Sequence, residues 1–282
     1  MTIKIITDGT SDLPQELARE LDITVVPLLV RFGDKEMTSD MSRTLFYELM
    51  RQEPKLPQTA SPAPHTFMEE YRKASQSDIL VVSVSSNLSS TYHHALMARE
   101  QLMEDGYTGR IEVLDSRTAS LGQGLLAVKA AKLAKEGLPF EELVARMKEE
   151  IKSHHTYFFL DTLENVIKGG RLDRVRGAVA SVLNIKQIMK ASEEGTLEPF
   201  EKVRGTQNAI KRLIERVSEK VSETRHDLER CILGIAHSNC EDRARDVRDQ
   251  LLRLFPFGQV VITEMGPVIG TYAGEGGILI SC

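Results

Sequence analysis

The chain has 282 residues, 41% hydrophobic and 27% charged, with 36 Lys and Arg against 41 Asp and Glu for a net charge of −5. That is the composition of a globular protein with room for one large or two ordinary domains, and its acidity argues against a general nucleic-acid binder. No apolar run approaches the ~18–20 residues of a transmembrane helix, and Cys231, Cys240 and Cys282 are too widely spaced for a disulfide framework or a zinc pattern.

In chain order, Ile3–Thr7 reads as a short apolar strand running into the loop TDGTSDLP. Asp8 follows too soon for a signal peptide, so a reduced, cytoplasmic setting is expected. Ser11 or Asp12 is expected to cap a helix in which Leu13, Leu17 and Leu21 keep helical spacing. Ile23–Phe32 reads as one strand interrupted at Pro27, and Thr44–Arg51 as a short helix. The proline-rich turn TASPAP at 59–64 leads into a helix from about His65. Ile79–Val84 is apolar and mostly β-branched, as a strand covered on both faces should be. Five hydroxyl residues follow it (Ser85, Ser86, Ser89, Ser90 and Thr91), and a helical pattern opens at Tyr92. A strand over Arg110–Leu114 ends at Asp115-Ser116, and Leu125–Lys135 and Phe140–Lys152 are two further helices. Repeated strand-helix units predict a parallel sheet with right-handed crossovers.

From about Tyr157 the pattern changes. Tyr157–Leu160 is a strand, followed by a helix and the basic turn KGGRLDR. Ile185–Ala191 and Glu198–Val203 bracket Glu194-Gly195, the mark of a β-hairpin. A polar helix over 206–223, a strand over Cys231–His237, a helix over Glu241–Phe255 and a strand over Gln259–Glu264 precede the glycine-rich end GPVIGTYAGEGGILISC. The expected architecture is α/β: an N-terminal parallel-sheet domain over 1–156, and a C-terminal α+β domain with a mixed or antiparallel sheet over 157–282.

Three loops of the first half, TDGTSD, TASPAP and SSNLSST, follow strands and carry hydroxyl or acidic side chains. In an open parallel sheet, ligands sit outside the carboxyl ends of the strands. A helix start with free N–H groups favours an anion. The hydroxyls after Val84 therefore either cap the helix or seat a small anion such as a carboxylate; the P-loop glycines and lysine are missing. Gly122-x-Gly124-x-x-Ala127 lies too far beyond Leu114 for a dinucleotide turn and reads as close helix packing. There is no G-x-S-x-G elbow, His154-His155 lacks a metal-site spacing, and His237 reads as a hydrogen-bonded structural histidine. Between Lys168 and Lys190, six cations (Lys168, Arg171, Arg174, Arg176, Lys186 and Lys190) face one acid, Asp173. Such a run is either solvated surface or a docking site for an acidic partner.

TDGTSDLP at 7–14, TASPAP at 59–64, SSNLSSTYHHA at 85–95, DS at 115–116, KGGRL at 168–172, AH at 236–237 and GPVIGTYAGEG at 266–276 appear in order along the chain. In these segments it resembles the DegV family of bacterial lipid-binding proteins, which includes the fatty-acid-binding subunits of fatty acid kinase. The resemblance implies a two-domain α/β fold that buries a long-chain fatty acid, such as palmitate, stearate or oleate, with no cofactor, no metal and no catalytic residue of its own. It implies carboxylate contacts from Thr59, Ser61, Ser89, Ser90, Thr91 and Tyr272, and a role for Arg171, Arg174 and Arg176 toward an ATP-dependent fatty acid kinase partner. Tyr272 stands where the family pattern commonly has histidine, Glu275 where it has proline, Gln187 in place of the proline of a Lys-Pro pair, and Ala60 where it has serine. An enzyme holding a phosphate-bearing cofactor at the glycine-rich loops is the alternative. Ten Met and no Trp suit an adaptable apolar pocket. A 16-carbon tail buried at ~0.8 kcal/mol per methylene yields on the order of 12 kcal/mol before ordering costs.

Overall fold

The computed structural model describes residues 2–74, 77–172, 184–224 and 227–282. The first half runs β1 (Ile3–Asp8), α1 (Gln15–Glu20), β2 (Ile23–Val26), β3 (Leu29–Phe32), β4 (Lys35–Thr38), α2 (Arg43–Gln52), β5 (Gln58–Ala60) and α3 (Pro64–Lys73). It continues with β6 (Asp78–Ser83), α4 (Thr91–Glu104), β7 (Ile111–Asp115), α5 (Leu121–Lys135) and α6 (Phe140–Ser153). The second half is β8 (Thr156–Leu160), α7 (Glu164–Lys168), β9 (Ile185–Ala191), β10 (Leu197–Arg204), α8 (Thr206–Thr224), β11 (Ile232–His237), α9 (Glu241–Leu254), β12 (Gln259–Glu264), α10 (Pro267–Ala273) and β13 (Ile278–Ser281).

The predicted parallel sheet is present, with strand order β2-β1-β6-β7 and every pair parallel. Its inner strand β6 is buried at every position, which is why its sequence is apolar without alternation. The second sheet, β10-β9-β8-β13-β11-β12, is mixed: only β11 and β12 run parallel. No described helix is long and apolar enough to cross a membrane.

Two local readings are corrected, and one segment left unassigned gains its elements. Ile23–Phe32 is not one interrupted strand. The chain turns at Pro27 and Leu28, so β2 joins the parallel sheet while β3 leaves it for a small antiparallel sheet of order β4-β3-β5. Neither Ser11 nor Asp12 caps α1, which starts after Pro14 without a side-chain cap. Asp12 instead takes φ +48° and turns its carboxylate toward residues far along the chain. Finally, the glycine-rich end holds a helix and a strand, α10 and β13, and β13 is central to the second sheet.

Helix α5 joins the two halves. Leu126, Ala127, Ala130 and Ala131 pack with Ile5, Leu80 and Leu114 against the parallel sheet. Leu121 and Leu125, nearer its start, pack with Phe158 and Leu279 of the second sheet. The close-packing reading of its glycines holds, because a Cβ on Gly122 would sit 2.6 Å from Thr156 Oγ1 and 2.8 Å from Thr118 Oγ1. Further ties cross between the halves. Arg43 Nε donates to the Glu264 carbonyl at 2.7 Å, Tyr47 Oη donates to the Met265 carbonyl at 3.1 Å, and Arg51 pairs with Glu275 at 2.9 Å.

Candidate functional site

The carboxyl ends of β1, β6 and β7 all point toward the inner face of the second sheet, and a cavity of about 430 Å³ lies between them. That volume is within the ordinary range for a small-molecule site. Thr10 enters from the loop after β1, Val84, Leu88, Ser89 and Ser90 from the loop after β6, and Thr118, Ala119 and Ser120 from the loop after β7. The opposite wall is apolar: Phe158 and Leu160 of β8, Leu279 of β13, Val166 of α7, and Val268, Ile269 and Ala273 of α10. Phe158 and Leu160 face inward together because strand side chains alternate.

Buried hydrogen bonds fix the loops. Asp8 accepts from Thr10 N at 3.1 Å, Ser83 Oγ at 3.1 Å and Val84 N at 3.0 Å, so one carboxylate orders two loops. Asp115 accepts from Ser86 Oγ at 2.6 Å and Arg117 N at 2.8 Å, joining the second loop to the third. Burial pushes the Asp12 carboxyl up to about 6, against the opposing pull of its hydrogen bonds from Ser120 and Gly266 and of the nearby Arg43 charge.

At one end of the cavity the hydroxyls gather. Ser61 Oγ lies 2.8 Å from Ser90 Oγ and 3.2 Å from Ser89 Oγ, and Ser89 Oγ lies 2.8 Å from Thr91 Oγ1. Thr59 Oγ1 and Tyr272 Oη meet at 2.5 Å. Ser90 is exposed and Ser61 and Ser89 are half-buried, so this end is the mouth. Thr59, Ser61, Ser89, Ser90 and Tyr272 line the cavity together with Arg171. Thr91 does not line it: it is buried at the start of α4 and bonds back to Ser89. Ser90, at the helix N-cap, makes no side-chain capping bond, while Ser89 Oγ accepts from Thr91 N at 3.3 Å, so the cluster is only partly spent on the helix start.

The Arg171 guanidinium stacks 4.6 Å from the centre of the Tyr272 ring, and its Nη1 donates to the Gly169 carbonyl at 2.5 Å. Gly169 leaves space for that ring, and Gly170 takes φ +73° as the chain turns into Arg171. Other cations of the basic run are paired: Lys168 with Glu164 at 2.5 Å, Lys186 with Asp161 at 3.5 Å and Lys190 with Glu198 at 3.6 Å. Arg174 and Arg176 lie outside the described residues.

Sequence reasoning missed several lining residues. His94, one turn into α4, reaches the mouth and donates from Nδ1 to the Pro62 carbonyl at 2.8 Å, which turns Nε2 away from that bond. Thr118 and Ser120 come from a loop whose only noticed signal was Asp115-Ser116. Gly122 and Gly124 lie in the first turn of α5, beyond the loop that follows β7, and pack against Thr156, Thr118 and the Ser11 carbonyl, so they offer no phosphate-binding turn. His237 accepts from Cys240 N at 3.3 Å, and burial lowers its pKa, as a structural histidine should behave. Among the described residues no group of three or more His, Cys, Asp or Glu side chains could hold a metal ion.

A family model for the DegV family matches residues 2–282. A DegV domain-containing protein of Halalkalibacterium halodurans is 34% identical, over 99% of this chain and 97% of its own length. Among solved structures, a DegV family protein from Ruminococcus gnavus with vaccenic acid superposes at TM-score 0.91 with 30% identity, covering all of both chains. A fatty-acid-binding DegV family protein from Thermus thermophilus superposes at TM-score 0.88 with 28% identity, covering 100% of this chain and 99% of its own.

Proposed function

The chain belongs to the DegV family, and from that premise we propose that it binds a long-chain fatty acid, with the tail in the cavity and the carboxylate at the hydroxyl cluster. One observation carries this reading: the second-sheet wall of the cavity is apolar except for Thr156 at its far end, and Thr59, Ser61, Ser89, Ser90 and Tyr272 bring their hydroxyls together at the mouth. The ligands of its structural relatives support it. Burial of the tail provides the affinity, while Ser61, Ser89, Ser90, Thr59 and Tyr272 orient the headgroup. Arg171 places a positive charge beside it. No step of this role requires catalysis by the chain itself.

Native mass spectrometry of the purified protein tests the reading directly: a co-purified fatty acid is expected, and a bound nucleotide in its place would sink it. Ser89→Ala should cost roughly 1–3 kcal/mol of binding, or about 5- to 150-fold in Kd, because a carboxylate loses a donor. Titration with a fluorescent fatty acid reads this. Unchanged affinity in Ser89→Ala, Ser61→Ala and Thr59→Val alike would remove the proposed seat.

The finer reading is that the carboxylate is presented to an ATP-dependent fatty acid kinase, which phosphorylates it to an acyl-phosphate. Arg171 supports it, as a half-buried cation beside the mouth with no acidic partner among the described residues. A positioned guanidinium stabilises charge developing during phosphoryl transfer, so Arg171→Ala should slow acyl-phosphate formation on the order of 100-fold. Charge reversal at Arg174 or Arg176 should slow association with the kinase. The measurement is turnover with a cognate kinase, with lipid loading checked separately; full turnover in all three variants would mean that no docking patch exists.

A further inference from the structure

The end of the cavity away from the mouth is not apolar. β8 and β9 pair with Tyr157 opposite Lys190, and β8 and β13 with Ser281 opposite Thr156. Thr156, Ser281 and Ala191 therefore share one end of the sheet. Leu160, at the other end of β8, packs in one cluster with Val166 and Tyr272 near the mouth. At ~3.3 Å per residue, about 13 Å of strand separates the two ends. Thr156, Ala191 and Leu197 line the cavity there, with Thr118 beside them.

Here three buried hydroxyls form a relay. Thr118 Oγ1 and Thr156 Oγ1 are 2.9 Å apart, and Thr156 Oγ1 and Ser281 Oγ are 3.1 Å apart. Ser281 Oγ also meets His154 Nε2 at 2.7 Å and the His155 carbonyl at 3.2 Å. A hydroxyl donates once and accepts twice. Ser281 thus has three partners and Thr156 two, while Thr118, which lines the cavity, has one among the described residues. The relay is saturated at the half-buried His154 and open at the cavity. Its direction is fixed by the carbonyl, which can only accept: Ser281 gives its one proton to the His155 carbonyl, His154 Nε2 and Thr156 donate to Ser281, Thr118 donates to Thr156, and Thr118 is left offering the cavity a lone pair.

We propose that this relay recognises an oxygen on the distal half of the acyl chain, so that the ligand class includes long-chain fatty acids bearing a mid-chain or distal hydroxyl. The inference rests on the fatty-acid reading above and specifies its ligand. A ligand hydroxyl beside Thr118 exchanges its water for a protein partner, whereas the same group against Phe158 or Leu279 would be buried without one, weakening binding about 5- to 150-fold. Position on the chain is therefore selected, not mere polarity.

The test compares Kd values for stearate and for hydroxystearates substituted in the distal half of the chain, each measured on the same delipidated protein. The readout is the ratio of the two, which cancels any general weakening of a variant. The unmodified protein should bind one distal hydroxystearate about 3- to 10-fold tighter than stearate. Thr118→Val should reverse that preference by about 10-fold or more, and Ser281→Ala, which cuts the relay behind the cavity, should reduce it. Stearate bound more tightly than every hydroxystearate, or a ratio unmoved in both variants, overturns the proposal and leaves the fatty-acid reading standing. Failure to bind any of these acids overturns both.

Discussion

Asp12→Ala should be among the most damaging single substitutions in the chain, lowering stability by about 4 kcal/mol and loosening lipid binding with it. The buried carboxylate accepts from Ser120 Oγ at 2.5 Å and from Gly266 N at 2.7 Å, and the Asp12 carbonyl accepts from Thr263 Oγ1 at 2.9 Å. One residue thus ties the loop after β1 to the loop after β7 and to the start of α10. Alanine would leave two buried donors unpaired, at roughly 1–3 kcal/mol each. It would also hold φ +48° without the local polar side chain that makes this region accessible to aspartate and asparagine. Ser120 and Met265, on either side of the tie, line the cavity, so the loss reaches the ligand.

The same residue sets a pH dependence whose sign is unusual for a carboxylate. Burial raises its pKa from 3.8 to about 6, so the fold prefers the protonated form. Its contribution is present in full below about 4 and is lost as pH rises through about 6, a span of about 3 kcal/mol. Asp12→Asn keeps an acceptor for Gly266, tolerates the backbone angle and does not titrate. Denaturation of both proteins between pH 4 and 7 should show the unmodified chain gaining relative to Asp12→Asn as pH falls. Parallel curves would mean that the Asp12 carboxyl has the same pKa in the folded and unfolded chain.

How much of this was legible beforehand differs by element. Strands such as β6 and helices such as α6 were readable because their local pattern agrees with their final burial. β5 was not, since three residues, Gln58–Ala60, carry no periodicity and pair only because β3 lies beside them. α10 contains Gly270 and Thr271, poor helix formers, yet it forms with Pro267 in its first turn and Val268 and Ala273 buried. At the site, the mouth was visible as clustered hydroxyls in SSNLSST and TASPAP. Thr118, Thr156 and Ser281 were invisible as a group, because their hydroxyls meet only after α5 and two strands have been assembled. Asp12 misled for the same reason: an acid two residues before a proline reads locally as a helix cap, and long-range donors outcompete that role.

Ala191→Phe should shorten the ligand range of the cavity, raising Kd for stearate about 100-fold. Ala191 lines the end of the cavity away from the mouth, next to Thr156 across the β8–β9 ladder and opposite Leu197 across the β9–β10 ladder. A phenyl ring placed there takes the room of about three or four methylenes, and each methylene kept out of the cavity forgoes ~0.8 kcal/mol, or about 3 kcal/mol in all. The informative measurement is Kd across saturated acids of increasing length. In the unmodified protein affinity should climb steadily with length until the tail meets Thr156 and Ala191. In the variant the climb should stop several carbons earlier, because the headgroup contacts at Ser61 and Ser89 are remote from the change. A uniform loss at every length would place Ala191 beside the headgroup or outside the path of the tail, and would reverse the direction assigned to the bound chain.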